Sequence, residues 1–132
     1  MTDIDKVELL KVASKQLDYA YVPYSNFRVG AALLTEDGSV FGGSNIENIA
    51  FSPTNCAERS AIFAAVSSGH RKFKALLITG NTEDTIKPCG VCRQVMNEFF
   101  DKDTQIFLTN QSGKIEQTTM EELLPGSFSK LK

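Results

Sequence analysis

Three cysteines and one glutamate are the residues whose types and spacing point most directly to chemistry. Cys56 lies two positions before Glu58, and Cys89 lies three positions before Cys92 in the run Pro-Cys-Gly-Val-Cys. Thiolates are good ligands for Zn²⁺, and three protein ligands leave the fourth tetrahedral position open to water, as in catalytic zinc sites. We therefore predict that Cys56, Cys89 and Cys92 bind one Zn²⁺ ion per chain.

Glu58 is the candidate proton carrier of this site, and a second interpretation of it is open. Asn55 and Glu58 have the spacing of a capping box, in which the carboxylate only accepts a backbone hydrogen bond at the start of a helix. Helix side chains lean toward the helix N-terminus, so a glutamate in the first turn can also reach a water molecule at a neighbouring metal. Its place two residues from Cys56 favours the catalytic role.

Two other roles for the cysteines fit the sequence less well. A Cys-x-x-Cys pair can be a redox centre, but the third cysteine and the lack of an aromatic residue beside the motif argue against this. A closed structural site would need His70, the only histidine. His70 is fourteen residues beyond Cys56, which places it about 20 Å away along a helix that rises ~1.5 Å per residue. We expect His70 to be a solvated loop residue or a helix C-terminal cap.

Composition argues against several classes of protein. The chain has 132 residues and a formal net charge of −2, with acidic and basic residues mixed, so neither nucleic-acid nor membrane partners are expected. No apolar run approaches the ~20 residues that span a bilayer, and the N-terminus lacks the apolar core of a signal peptide. An odd number of cysteines cannot close into an intramolecular disulfide framework. We expect one domain over residues 1–132, located in the cytoplasm.

Hydrophobic periodicity and turn residues predict an alternation of helices and strands. Helices are predicted at 3–20, 55–68 and 88–100 with a short one from 119, and strands at 27–34, 39–46, 73–79, 105–109 and 114–118. This order predicts an α/β fold with helices on both faces of a mixed sheet. Both cysteine motifs then fall at helix N-termini, where the helix dipole favours thiolates.

Six blocks of sequence carry a family resemblance that extends over nearly the whole chain. They are Val22-Pro-Tyr-Ser25, Phe27 with Val29-Gly-Ala-Ala-Leu33, Asn45-Ile-Glu-Asn48, Asn55-Cys-Ala-Glu-Arg59, Pro88-Cys-Gly-Val-Cys-Arg-Gln94 and Leu123-Leu-Pro-Gly126. Together they resemble the short, homotetrameric cytidine deaminases that bind zinc through three cysteines. The resemblance implies a three-layer α-β-α sandwich around a mixed five-stranded sheet. It also implies hydrolytic deamination of cytidine and deoxycytidine in active sites shared between subunits.

The same resemblance assigns roles around the base. Glu58 would take a proton from the water that zinc activates, deliver it to N3 of the base and later help the 4-amino group to leave. Main-chain groups beside Ala57 and Cys89 would hold the base. Phe27 would lie along the base, and Phe128 of a neighbouring subunit would lie against it. Without the resemblance, Phe27 reads as a core residue of a strand and Phe128 as part of a docked tail.

The ribose contacts also follow from the resemblance. Asn45 and Glu47 match a pair that hydrogen-bonds the 3′-hydroxyl, although an asparagine near a strand end is more often a turn residue. The chain departs from the family pattern at Ile49 and Phe51, where the family often has a small residue and a tyrosine. Phe51 has no hydroxyl with which to contact a 5′-hydroxyl.

Arg59 is a candidate for balancing charge beside the metal. Three thiolates around Zn²⁺ leave a net charge of −1, which weakens the metal as a Lewis acid. Arg59 follows Glu58 in the chain and could donate hydrogen bonds to a sulfur, as groups behind metal ligands often do. The alternative is a surface arginine paired with a carboxylate, an interpretation that we favour for Arg93.

Three rival functions remain at this level. A deaminase of a modified cytosine nucleoside, such as a blasticidin-type antibiotic, would share the fold but would not need the Asn45 and Glu47 pair. A polynucleotide deaminase would have to bind flanking nucleotides, for which an acidic chain without tryptophan is poorly suited. A zinc protein without catalytic activity would have no need of Glu58.

Overall fold

Residues 4–129 are described by a computed structural model, and they form α-helices and strands in the predicted order. The helices are α1 (Lys6–Gln16), α2 (Ala57–Ser67), α3 (Gly90–Phe99) and α4 (Met120–Leu123). The strands are β1 (Val29–Thr35), β2 (Val40–Ser44), β3 (Phe73–Gly80), β4 (Gln105–Thr109) and β5 (Ile115–Thr118). Within these residues no helix is both long and apolar enough to cross a bilayer.

The strands make one mixed sheet in the order β2-β1-β3-β4-β5. β3 and β4 are parallel and are joined by α3, whereas every other neighbouring pair is antiparallel. The predicted mixed five-stranded sheet is therefore confirmed. The carboxyl ends of β3 and β4 lie side by side, at the edge where α/β sheets commonly place ligands.

Alternate residues of the central strands face opposite layers of helix. On one face Leu9 and Ala13 of α1 pack against Ala32, Leu77 and Phe107 of the sheet. The other face is covered by α2, α3 and α4, in a larger cluster of apolar residues that includes Leu33, Leu76, Ile78, Ile62 and Met96. Both faces of the sheet are thus buried, and the three-layer arrangement is confirmed.

Helix α1 is shorter than the sequence predicts. Residue 3 of the predicted range lies outside the described residues. The helix begins after Asp5, whose carboxylate accepts a hydrogen bond from the Glu8 N–H at 3.1 Å and so fixes the first turn. At its other end the chain tightens into a 3₁₀ turn over Leu17–Tyr19. The Arg28 guanidinium donates to the carbonyl of Leu17 at 2.8 Å, which satisfies a backbone group that a continuing helix would have used.

The two helices that carry the cysteines also begin later than predicted. Cys56 rather than Asn55 is the N-cap of α2, and Cys89 is the N-cap of α3, so Pro88 precedes the helix instead of lying in its first turn. The Cys89 Sγ accepts the Cys92 N–H at 3.4 Å, which makes Cys89 the cap. Each N-cap has extended backbone geometry, so both cysteines lie at the junction between loop and helix.

A close approach between α2 and β2 positions the first of these helix starts. A Cβ added to Gly43 would lie 2.4 Å from the carbonyl oxygen of Ala57 and 2.5 Å from the N atom of Ala61. Any side chain at this position would therefore push α2 away from the sheet. Gly43, which in the sequence reads only as a weak point in a strand, sets how closely the start of α2 can pack.

Candidate active site

The three cysteines that are separated in the sequence converge between the N-termini of α2 and α3. The Sγ atoms of Cys56 and Cys89 are 3.7 Å apart, and all three sulfurs lie within 4.8 Å of one another. Cys92 is fully buried, Cys56 is half-buried and Cys89 is exposed. The cluster therefore has a closed inner side and one side open to solvent.

The donor set fits a zinc ion. Tetrahedral coordination with Zn–S bonds of ~2.3 Å places neighbouring sulfurs about 3.8 Å apart, close to the 3.7 Å between Cys56 and Cys89. Among the described residues, these three cysteines are the one group of three or more His, Cys, Asp or Glu side chains that could hold a metal ion. Three ligands would leave a fourth position free on the exposed side of the cluster.

The pKa values of the Cys56 and Cys92 thiols show how a bound cation would change their protonation. A hydrogen bond from the Cys92 thiol, with a further one from Arg59, lowers the pKa of the Cys56 thiol to about 5. The same sulfur–sulfur hydrogen bond raises the pKa of Cys92 above its usual range. Without a metal, the two sulfurs therefore share a proton, and only one of them ionises readily. A divalent cation would hold all three as thiolates and release that proton on binding.

Arg59 lies behind the cluster. Its Nη2 atom donates to the Cys56 Sγ at 3.4 Å and to the Thr54 carbonyl at 3.3 Å. Its Nε is buried without a hydrogen-bond partner in the described part of the chain. Burial alone would lower the pKa of Arg59, but its contacts with the sulfurs raise it above the ordinary value. The guanidinium is thus a permanent positive charge against the Cys56 sulfur.

Arg93, by contrast, is not paired with a carboxylate as we had expected. Its Nε donates to the carbonyl of Pro88 and its Nη1 to the carbonyl of Leu123, each at 2.8 Å. Pro88 lies just before α3, and Leu123 is the last residue of α4, so neither carbonyl accepts a hydrogen bond within a helix. Arg93 therefore ties the two helices together.

Glu58 lies in the first turn of α2 and is only 3% exposed. Burial, reinforced by the negative charge of Cys56, raises the pKa of its carboxyl to about 7. Asn55 does not form a capping box with it, because the Asn55 Nδ2 donates to the Ser60 Oγ at 3.0 Å and Cys56 is the N-cap. A carboxyl with this pKa can gain and lose a proton near neutral pH.

One cavity with a volume of about 220 Å³ lies over the sulfurs and Glu58. It brings together seven of the residues that the sequence singles out: Phe27, Asn45, Glu47, Cys56, Ala57, Glu58 and Cys89. Ala57 is the first residue of α2, so its N–H has no acceptor within the helix. The cavity thus combines cysteine sulfurs that could hold a metal ion, a buried carboxyl and polar groups on one wall.

Asn45 and Glu47 hold this wall in place. The Asn45 Nδ2 donates to the carbonyl of Phe27 at 2.7 Å, and its Oδ1 accepts the Val29 N–H at 3.0 Å. Glu47 accepts hydrogen bonds from the Ser25 hydroxyl and from the N–H groups of Tyr24 and Ser25. The hydrogen bond from the Ser25 hydroxyl is the main cause of a lowered pKa at Glu47, so this carboxylate stays ionised.

Phe128 is the predicted site residue that lies apart from both the cavity and the sulfur cluster. Its side chain is 68% exposed, and its carbonyl accepts a hydrogen bond from Gln94 of α3 at 3.1 Å. Ile49 and Phe51 are also exposed, on the loop between Glu47 and Cys56, and Phe51 has a positive φ of 61°. These apolar side chains are not covered within the described chain.

Sequence reasoning missed several residues of the site. Ile86 and Lys87 line the cavity, and their position just before Pro88 and Cys89 is the signal that could have identified them. Thr54 lines it as well, and so do Val29 and Asn55, which belong to the quoted sequence blocks but were given no role in the cavity. Ser25 supports Glu47 from the loop after α1, at a distance in sequence that no local pattern reveals.

Comparisons with known proteins identify the family of the chain. A family model described as the cytidine and deoxycytidylate deaminase zinc-binding region matches residues 4–108. A cytidine deaminase of Sporosarcina psychrophila is 54% identical over 127 residues, which cover 96% of this chain and 93% of that protein. The crystal structure of a cytidine deaminase from Burkholderia pseudomallei has a TM-score of 0.91 at 44% identity, and covers 95% of this chain and 100% of that one.

A relative with another named substrate is more distant. A blasticidin-S deaminase of Bacillus cereus is 29% identical over 132 aligned positions, which cover 94% of this chain and 92% of that protein. The cytidine deaminase of Sporosarcina psychrophila shares almost twice that identity over a similar length.

Proposed function

The chain belongs to the family of zinc-binding cytidine and deoxycytidylate deaminases, and from this we propose that it converts cytidine and deoxycytidine to uridine and deoxyuridine with release of ammonia. One observation carries the proposal. Glu58, a buried carboxyl with a pKa near neutrality, lies beside three convergent cysteine sulfurs at the floor of a small cavity. A site of this kind can move protons at a group that is attacked by activated water.

When bound to the three thiolates, Zn²⁺ would supply the Lewis acidity that activates a water molecule for attack on C4 of the base. Glu58 would accept the proton of that water and donate it to N3, then take the remaining hydroxyl proton at C4 and deliver it to the 4-amino nitrogen, so that the C4–N bond breaks and ammonia leaves. Its raised pKa suits both directions of transfer, because neither the acid nor the base form is strongly favoured near pH 7. Its burial keeps bulk water from competing for the proton.

Contacts to the nucleoside follow from the walls of the cavity. Phe27 would lie along the base, and the free N–H of Ala57 with backbone groups at Cys89 would hold its polar edge. Asn45 and Glu47 would hydrogen-bond the 3′-hydroxyl, for which Glu47 offers an ionised carboxylate. These polar groups are already fixed by contacts with Phe27, Val29 and Ser25, so little order would be lost on binding.

We further propose that four copies of the chain assemble and share their active sites. Several large apolar side chains are exposed: Tyr19, Tyr21, Ile46, Ile49, Phe51 and Phe128. An assembly of identical subunits would cover this surface and could bring Phe128 of a neighbour to the cavity. We propose in addition that residues 1–132 form a single domain, and that the enzyme acts in the cytoplasm in pyrimidine salvage.

The modified-nucleoside alternative is testable beside the main proposal. Zinc-loaded protein, with one ion per chain verified by elemental analysis, should release ammonia from cytidine and from deoxycytidine, with the matching change in ultraviolet absorbance. Free cytosine should be a poor substrate, because ribose contacts help to position the base. Blasticidin S should be turned over slowly or not at all. No turnover of cytidine by fully loaded protein would refute the proposed function, and faster turnover of blasticidin S would favour the alternative.

A further inference from the structure

Phe27 lies on a segment that regular secondary structure does not support. It precedes β1, follows Asn26 with a positive φ of 58°, and is 42% exposed. Its own backbone is held on one side by Asn45, which binds its carbonyl, and by the Ser25 hydroxyl, which accepts its N–H at 3.0 Å. The orientation of this aromatic wall therefore depends on side chains that bind the backbone around it.

Asn81 binds the backbone on both sides of Phe27. Its Oδ1 accepts the Arg28 N–H at 3.1 Å, and its Nδ2 donates to the Asn26 carbonyl at 3.3 Å. Its own N–H donates to the Arg28 carbonyl at 3.3 Å. One residue thus makes three hydrogen bonds to the two neighbours of Phe27, although it lies more than fifty positions further along the chain.

Asn81 is also the first residue of a second loop that reaches the cavity. It follows β3 directly, and the loop that it begins ends at Ile86 and Lys87, both of which line the cavity with Phe27. Hydrogen bonds fix the rest of this loop to the chain around the end of β4. They run from Gln111 N–H to the Thr82 carbonyl at 3.0 Å, from Asn110 Nδ2 to the Glu83 carbonyl at 2.6 Å and from Ile86 N–H to the Thr109 carbonyl at 2.9 Å.

We propose that Asn81 is a positioning residue that fixes the separation between Phe27 and the Ile86–Lys87 wall, and so sets the fit of the pyrimidine ring. This inference rests on the proposed function, because it treats the cavity as the nucleoside site. Asn81 itself does not line the cavity and does not touch the sulfurs. Its loss should therefore weaken nucleoside binding while leaving metal binding and proton transfer intact.

The test compares Asn81→Ala with the parent and with two further variants. Asn81→Asp keeps an acceptor for the Arg28 N–H but loses the donor to the Asn26 carbonyl, so its behaviour should be intermediate. Asn110→Ala is the control for a general loosening of the loop. It removes the hydrogen bond to the Glu83 carbonyl and those that Asn110 Oδ1 accepts from Ser112 and Lys114. It keeps the backbone hydrogen bonds that hold Thr82 and Ile86, and it makes no contact with the residues beside Phe27. Each variant is measured for zinc content, thermal unfolding, kcat and KM with cytidine, and inhibition by the product uridine.

For Asn81→Ala we expect KM for cytidine and the inhibition constant of uridine to rise about tenfold, with kcat changed less than about threefold, the pattern of lost uniform binding. Zinc content should stay at the parental value. Asn81→Asp should recover part of the lost affinity, and Asn110→Ala should keep a KM within about twofold of the parent.

An unchanged KM in Asn81→Ala, or an equal rise of KM in Asn110→Ala, would overturn the inference. If Asn81→Ala does not fold, an unchanged KM in Asn81→Asp would overturn it instead. An inactive parent would refute the proposed function separately, because the variants are read only against a parent that turns cytidine over.

Discussion

The Sγ atoms of Cys56 and Cys89 lie 3.7 Å apart although the two residues belong to different helices and are 33 positions apart in sequence. Each is the N-cap of its helix. The separation therefore reflects how closely α2 and α3 approach at their N-terminal ends. Both helix dipoles direct partial positive charge at the sulfurs, which favours thiolates and hence the binding of a cation.

Replacing Cys89 by serine should remove zinc and activity together. A serine hydroxyl keeps its proton at neutral pH and is a far poorer zinc ligand than a thiolate. Elemental analysis of the purified variant should find much less than one zinc per chain, with cytidine turnover reduced in proportion or more. Ser68→Ala, at the far end of α2, is the control and should keep both. Full zinc occupancy in Cys89→Ser would show that the coordination is assigned wrongly.

Replacing Glu58 by glutamine should separate zinc binding from catalysis. The amide has nearly the same shape, but it cannot accept and return a proton, and general acid–base groups typically contribute about 10²–10⁴-fold to the rate. We expect parental zinc content and thermal stability close to that of the parent, with kcat lowered by at least about a hundredfold. Glu98→Gln, at an exposed position of α3, should behave as the parent. Activity of Glu58→Gln within about tenfold of the parent would exclude Glu58 as the main proton carrier.

Local sequence patterns were sufficient to predict the order of elements and the convergence of the three cysteines. Helix periodicity, the Asp37-Gly38 turn and the stop at Gly69 are local signals, and each is present in the structure, with positive φ at both glycines. Cys56, Cys89 and Cys92 could be assigned to one site because thiols at helix starts have few other uses in combination with a neighbouring glutamate. Helices, turns, helix ends and cysteine motifs can therefore be predicted from residue type and short spacing.

Contacts between distant segments could not be predicted in the same way. Nothing near Asn81 in the sequence indicates that it binds the backbone beside Phe27, or that Ser25 supports Glu47. The partners of Arg93 are backbone carbonyls, which no sequence pattern marks as acceptors. The exact starts of α2 and α3 were missed as well, because cysteine is an uncommon N-cap and its role here depends on the packing around it.

Removing residues 127–132 should impair activity although it touches no metal ligand. Phe128 is exposed in the single chain, so its proposed contact with substrate requires a neighbouring subunit. We expect the truncated protein to keep its zinc but to show a raised KM for cytidine. Removing only residues 130–132 is the control, since it leaves Phe128 in place. Sedimentation should find the parent as a tetramer, and a fully active monomer at low concentration would contradict shared active sites.

The contact between Arg59 and Cys56 leads to a prediction about charge. Three thiolates around Zn²⁺ carry a net charge of −1, which opposes ionisation of an activated water, and the Arg59 guanidinium 3.4 Å from the Cys56 Sγ draws electron density from that sulfur. Arg59→Ala should therefore lower kcat sharply, by about tenfold or more if it acts as other groups behind metal ligands do. Arg59→Lys keeps the charge but not the planar donor geometry, so its kcat should be intermediate.

Two other arginines serve as controls, and a double variant tests the charge argument directly. Arg93→Ala should lower thermal stability more than turnover, because Arg93 binds only carbonyls of the helix ends. Arg71→Ala removes the same charge at the far end of α2 and should have no effect on kcat. Cys56→His replaces a thiolate with a neutral ligand, so combining it with Arg59→Ala should restore part of the lost rate. Zinc content and kcat are measured together for the single and double variants. Arg59→Ala with parental zinc and parental kcat would show that charge balance at Cys56 does not limit this enzyme.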